Sequence, residues 1–119
     1  MKESLLYEKS MTFAIRCVNF YKYLKEKKGV HILSKQLLRS GTSIGANIRE
    51  SRFAQSPADF ESKLHIALKE AEETQYWIEL LFRSEIITEK EYQSIYNDSS
   101  EMIALLLSSL KTYRNNQQN

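Results

Sequence analysis

Residue types that commonly carry chemistry are sparse in this chain of 119 residues, which has two histidines and one cysteine. A di-metal site in a helical bundle needs inward carboxylates together with Glu-x-x-His pairs. His65 instead follows Glu61 by four positions, and His31 stands at the start of a predicted helix. We therefore expect both histidines to be solvated or to cap helices, and we predict neither a metal site nor a cofactor.

Cys17 and the glycines do not form a catalytic constellation. Cys17 shares the apolar stripe of the first predicted helix, with no histidine close in sequence, which is typical of a buried structural cysteine. Gly41 and Gly45 lack the Gly-Lys-Ser/Thr signature and the strand-loop-helix context of a phosphate-binding loop. The sequence therefore predicts a protein that is not an enzyme.

The two glycines belong to residues 36–50, a stretch whose apolar positions keep helical spacing. An interior glycine costs a helix roughly 1 kcal/mol relative to alanine, so a neighbouring helix is expected to approach closely here. We predict such close packing at Gly41, Gly45 and Ala46. The polar residues on one flank of this helix form either a hydrogen-bonded seam or a solvated face: Gln36, Ser40, Ser43 and Asn47.

Three glycines and one proline are too few turn residues for a sheet protein, so the chain is predicted to be all-α. Apolar periodicity predicts helices over residues 4–26 and 31–53, and capping motifs start two more at Ser56-Pro57-Ala58-Asp59 and Thr88-Glu89-Lys90-Glu91. The polar tail 114–119 is expected to fray. Four such helices predict a single domain over residues 1–119, an antiparallel up-down-up-down four-helix bundle.

The net charge of +2 is unevenly distributed. Residues 1–60 carry 11 Lys/Arg and 5 Asp/Glu, whereas residues 61–119 carry 6 and 10. Either the two halves pair electrostatically, or the first half presents a basic face to a polyanion. On the second interpretation, the candidate nucleic-acid-binding residues are Lys22, Lys25, Lys27, Lys28, Lys35, Arg39, Arg49 and Arg52.

Apolar residues outside the predicted core stripes indicate association between subunits. The apolar arc of the first helix spans roughly 200°, more than one bundle core covers. An outward tryptophan on the third helix is also best explained by an interface. The candidate oligomer contacts are Met11, Ile15, Val18, Ile66, Trp77 and Leu80.

No stretch approaches the ~18 apolar residues of a membrane span, and no apolar signal core follows the N-terminus. A single cysteine also fits a reducing compartment. We expect a cytoplasmic protein that does not enter a membrane.

Residues 36–50 resemble the signature of a bacterial family of four-helix bundle proteins, the 23S ribosomal RNA intervening-sequence proteins, also called the S23 ribosomal protein family. The similarity continues through residues 54–60, 63–71, 73–78 and 80–81, and upstream through 13–16 and 21–24. It therefore covers essentially the whole chain.

This resemblance implies a homo-oligomer in which five bundles form a ring. It also implies a relation to the accessory protein of diversity-generating retroelements, a basic pentameric barrel that binds nucleic acid and a reverse transcriptase. Together with the basic first half, it predicts non-specific binding of RNA or DNA through the surface of the first two helices. The alternative is a protein-interaction scaffold whose charges only pair subunits.

Overall fold

The computed structural model describes the backbone of residues 2–118 and the side chains of residues 5–117. Four α-helices account for nearly all of this chain: α1 (Lys2–Lys28), α2 (Ile32–Ser51), α3 (Pro57–Arg83) and α4 (Glu89–Gln118). No strand occurs within residues 2–118, in agreement with the all-α prediction. The helix bounds differ from the predicted ones by two residues or fewer at each end of α1 and α2.

Side-chain caps fix the starts of α3 and α4, as the sequence predicts. Ser56 Oγ accepts a hydrogen bond from the Asp59 backbone N–H at 3.1 Å. At α4, Thr88 Oγ1 accepts from the Glu91 N–H at 3.1 Å, and the Thr88 N–H donates to Glu91 Oε1 at 2.8 Å. Each cap satisfies donors that the first helical turn leaves free, typically worth about 1 kcal/mol.

Each helix packs against the next one in sequence, and α4 packs against α1. Within the described residues, α1 does not contact α3 and α2 does not contact α4, so the helices stand at the corners of a square. The predicted apolar stripes converge on one core along the bundle axis. Fully buried members include Leu24, Leu37, Ile44, Leu64, Ile78, Leu81, Ile95, Met102 and Leu106.

Small residues bring α1 and α2 together. A Cβ atom on Gly41 would lie 3.0 Å from Cys17 Cβ and closer still to its Sγ, and one on Gly45 would lie 3.1 Å from Ser10 Oγ. Both distances are too short for an unadjusted side chain, so glycine at these positions permits the close approach. Ala46 takes no part in this contact: the residue is exposed in the single chain, because it lies 100° around the helix from Gly45 and so turns away from α1.

Only part of the polar flank of α2 forms a seam. Ser40 is buried and accepts a hydrogen bond from Thr74 of α3 at 2.8 Å. Ser43 and Asn47 instead bond to carbonyls one turn earlier in their own helix. The Ser40 hydroxyl thus links α2 to α3, whereas the side chains of Ser43 and Asn47 form hydrogen bonds within α2.

The structure continues α4 to Gln118, through most of the tail that was expected to fray, and residue 119 lies outside the described residues. Arg114 anchors this turn to α3, where its Nε donates to Glu61 Oε1 at 2.6 Å. Its Nη2 lies 3.0 Å from His65 Nε2, so His65 belongs to an ion-pair cluster between α3 and α4. Side-chain interactions across helices therefore stabilise a polar segment that local composition disfavours.

Two negative findings concern the described part of the chain. None of its helices is long and apolar enough to cross a membrane. Within the same residues, no group of three or more His, Cys, Asp or Glu side chains is placed to hold a metal ion.

Candidate nucleic-acid interface

The eight candidate cations do not form one patch. Five lysines cluster at the end of the bundle where α1 ends and α2 begins: Lys22, Lys25, Lys27, Lys28 and Lys35. We call these five residues the lysine cluster. Arg39 lies further along α2, whereas Arg49 and Arg52 lie at its other end. At 1.5 Å per residue, Lys35 and Arg49 are separated by about 21 Å along the helix axis.

All five members of the lysine cluster are exposed. Among the described side chains, none of them lies within ion-pair distance of a carboxylate. Lys25 and Lys28 instead place their ammonium groups 5.8 Å from the ring centroids of Tyr21 and Tyr23. These distances are within the range of cation–π attraction, and the last turn of α1 adds a favourable helix dipole.

Arg39 is engaged within the bundle, contrary to its predicted place in an open basic surface. Its guanidinium lies 3.3 Å from Glu70 Oε1 and donates a hydrogen bond to Glu73 of α3. Trp77 Nε1 also donates to Glu73, at 3.0 Å. The Trp77 and Arg39 hydrogen bonds hold the pKa of the Glu73 carboxyl below its ordinary value. Arg39 thus joins α2 to α3.

The two remaining arginines differ in their surroundings. The Arg52 guanidinium lies 5.1 Å from the centroid of the Tyr7 ring, so it joins the end of α2 to the start of α1. Arg49 is exposed and forms no ion pair among the described side chains. Neither residue extends the lysine cluster.

The charge asymmetry of the sequence is partly used inside the chain. Lys9 lies 3.4 Å from Glu101, and Arg16 pairs with Asp98, so basic α1 is joined to acidic α4. With Arg39, three cations of the first half therefore pair with carboxylates of the second half. Of the two interpretations left open by the sequence, electrostatic pairing between the halves applies to these cations. Among the eight candidate cations, the lysine cluster, Arg49 and Arg52 remain outside this pairing.

The six candidate oligomer contacts fall on two separate surfaces, since α1 and α3 do not touch. On α1, Met11 is 41% and Ile15 is 54% exposed, and Val18 beside them is half-buried. On α3, Ile66 is 38% exposed, whereas Trp77 and Leu80 are half-buried. We call Met11, Ile15 and Val18 the α1 apolar strip.

Further exposed apolar side chains were not singled out as contacts by the sequence. Phe53 is 79% exposed just after α2, and Leu107 is 52% exposed on α4. Leu107 directly follows the buried Leu106, so helical periodicity predicts that it points outward. Periodicity does not show whether such an exposed leucine contacts another molecule.

Known proteins resemble this chain over most of its length. The family model described as 23S rRNA-intervening sequence protein matches residues 2–108. A crystal structure of a protein of unknown function, from the S23 ribosomal protein family of Bacteroides thetaiotaomicron, is 58% identical in sequence. That similarity covers 93% of this chain and 99% of the other, with a TM-score of 0.91. No curated protein matches significantly. Because the family model spans most of the chain, this protein belongs to the 23S rRNA-intervening sequence protein family.

Proposed function

We propose that the protein is a non-enzymatic, cytoplasmic homo-oligomer that binds RNA or DNA without sequence specificity through the lysine cluster. One observation carries the proposal: five exposed lysines share one end of the bundle, and none of them lies within ion-pair distance of a carboxylate among the described side chains. Lys28 is near enough to Glu91 to help lower the pKa of that carboxyl, but it forms no close ion pair with it. Several cations elsewhere, such as Arg16, Arg39 and Arg114, are instead paired. Ammonium groups outside close ion pairs can replace the counterions of a phosphate backbone, which needs no base-specific contact.

The proposed topology supports this site, because it brings the end of α1 next to the start of α2. We infer an antiparallel up-down-up-down bundle from the order of side-chain contacts. Along α1 and α4, Lys9 pairs with Glu101, whereas the later Arg16 pairs with the earlier Asp98. Along α2 and α3, Arg39 pairs with Glu73, whereas the later Glu50 pairs with the earlier Lys63.

Binding is testable by fluorescence anisotropy with a labelled RNA duplex at a series of salt concentrations. The double variant Lys27→Gln/Lys35→Gln removes two members of the lysine cluster. Its matched control, Lys69→Gln/Lys111→Gln, removes two exposed lysines from α3 and α4 and gives the same net charge. Each lost phosphate contact should flatten the slope of log K against log salt by about 0.9.

We expect weaker binding and a flatter salt slope for the first variant, and little change for the control. Absence of binding at low salt, or equal effects of the two variants, would contradict the proposed site. Arg39→Glu is unsuitable for this test, because it would place a carboxylate against Glu70 and Glu73 and weaken the fold itself.

We further propose that the α1 apolar strip is a subunit contact, and that five subunits form the ring that the family resemblance implies. Exposed apolar surface of this kind favours association in water. Light scattering coupled to size exclusion should then give five times the chain mass of 14.0 kDa. Ile15→Glu should lower this mass, whereas Leu107→Glu, an equally exposed apolar position on α4, should not. A monomeric wild-type protein would refute the assembly, and equal effects would refute the strip.

The second candidate function is a protein-interaction scaffold without nucleic-acid binding. It is favoured by the ion pairs of Lys9, Arg16 and Arg39 with carboxylates of the same chain. These pairs leave a smaller basic surface than the sequence suggests. Affinity purification after nuclease treatment distinguishes the two functions. Recovery of a specific protein, combined with no RNA or DNA binding by the purified chain, would favour the scaffold.

A further inference from the structure

The core is not filled at the end of the bundle where α2 ends and α3 begins. A cavity of about 290 Å³ lies there between all four helices. Its apolar wall is formed by Leu6, Ile48, Phe60 and Leu64. Leu64 and Ile48 are almost completely buried, so this space continues the hydrophobic core.

The cavity lies beside the buried stripe of α4, where residues on the flank of its last turns are small or polar. Met102, Leu106 and Leu110 carry the buried stripe of α4 through these turns. Beside this stripe, half-buried Ser109 and Thr112 and exposed Asn116 line the cavity. The aromatic ring of Tyr113 does not fill the space, because it stacks on Phe60 with ring centroids 4.4 Å apart.

A single charged side chain, Arg52, lines this cavity, and no carboxylate does among the described side chains. The guanidinium is held 5.1 Å from the centroid of the Tyr7 ring. Among the described side chains, it forms no ion pair. An apolar wall, several hydroxyl and amide groups and one cation are the features that bind a molecule with an apolar body and a negative head.

We propose that this cavity binds a small amphipathic carboxylate whose chain enters the core and whose carboxylate meets Arg52. At about 30 Å³ for a water-sized group, the cavity holds about ten non-hydrogen atoms. A guanidinium presents two parallel donors to a carboxylate, which an ammonium group cannot do. The site lies at the end of the bundle opposite the lysine cluster and is independent of nucleic-acid binding.

Octanoate matches these dimensions and is a suitable probe for isothermal titration calorimetry on the full chain. Octanol keeps the apolar body without the charge, octylamine reverses the charge, and acetate keeps the charge without the body. We expect saturable binding of octanoate, with a dissociation constant at least about tenfold lower than for the other three compounds. A tenfold difference in affinity is the least expected from one charged hydrogen bond. Equal binding of octanoate and octanol, or no octanoate binding, would overturn the proposal.

Two substitutions locate the site. Arg52→Gln should weaken octanoate at least about tenfold and leave octanol unchanged, as expected for loss of a charged hydrogen bond. Arg49→Gln, one turn earlier on the same helix and outside the cavity, is the control and should have no effect. Ser109→Leu should fill the space and abolish binding, whereas retained binding in a folded Ser109→Leu protein would contradict this location. If that variant does not fold, the octanoate affinities of Arg52→Gln and Arg49→Gln are sufficient to test the site. An equal loss of affinity in both variants would overturn the proposal.

Discussion

The close contact between α1 and α2 gives the sharpest test of how this sequence stabilises its fold. In Gly41→Ala the new methyl carbon would lie 3.0 Å from Cys17 Cβ and closer still to its Sγ. Cys17 is completely buried, so its side chain cannot relieve the contact by moving into solvent. Overpacking of this kind costs typically about 1–3 kcal/mol, and a contact this short belongs at the upper end. Alanine recovers about 1 kcal/mol of helix propensity, so we expect a net loss of about 2 kcal/mol in the free energy of unfolding.

A double-mutant cycle separates the clash from other effects of the substitution. Cys17→Ala removes the sulfur but keeps the Cβ atom 3.0 Å from the new methyl carbon. The helix propensity of alanine, about 1 kcal/mol, offsets this milder remaining contact, so Gly41→Ala should be nearly neutral in that background. The coupling free energy should then be about 2 kcal/mol, which is large for a pair of residues in contact. Urea unfolding followed by circular dichroism at fixed protein concentration measures all four variants.

Gly45→Ala is the internal control for this cycle. Its new methyl group would meet chiefly the Ser10 hydroxyl at 3.1 Å, a milder contact that alanine's helix propensity can offset to within about 1 kcal/mol. If Gly41→Ala were as stable as the wild type, or if Cys17→Ala did not rescue it, glycine at position 41 would have no packing role.

Three further predictions follow from buried or capping groups. Thr74→Val removes the hydroxyl that lies 2.8 Å from the buried Ser40 Oγ, and should cost about 1–2 kcal/mol, whereas Thr12→Val at an exposed position should be neutral in urea unfolding. Burial raises the pKa of the Cys17 thiol to about 12. A thiol reagent at neutral pH should therefore label Cys17 in the urea-unfolded protein but not in the folded protein. Rapid labelling of the folded protein would refute this. The Thr88 N–H holds the pKa of the Glu91 carboxyl below its unfolded value, so its stabilisation is present above that value and is lost as pH falls through the folded pKa. Glu91→Gln keeps an acceptor for the cap and should therefore show a shallower loss of stability in acid unfolding curves; an unchanged pH profile would exclude this contribution.

Features that depend on one helix could be predicted from the sequence. Periodicity identifies the core positions of each helix, and the serine and threonine caps place the starts of α3 and α4 to within one residue. The exposed position of Ala46 was also within reach, because a residue directly after Gly45 lies 100° away from the same contact. Neighbours in a helical sequence are therefore not neighbours on one helix surface.

Features that depend on the register between helices could not be predicted in this way. Arg39 looks like a surface cation until α3 brings Glu70 and Glu73 beside it. The polar end of α4 looks frayed until Arg114 meets Glu61. The cavity beside Arg52 needs the ends of all four helices to be placed at once. The lysine cluster is the exception, because its members are close in sequence and stay close in space.

The glycine contact and the α1 apolar strip are two consequences of one arrangement. Met11 and Val18 directly follow Ser10 and Cys17, the residues that meet the two glycines, and so lie 100° around α1 from the contact. Because the backbones approach closely there, larger side chains have no room between the helices and remain on the outer side. The strip can then be covered only from outside the bundle. Gly41→Ala should therefore lower stability and leave the assembled mass of the folded protein unchanged, whereas Ile15→Glu should lower the assembled mass.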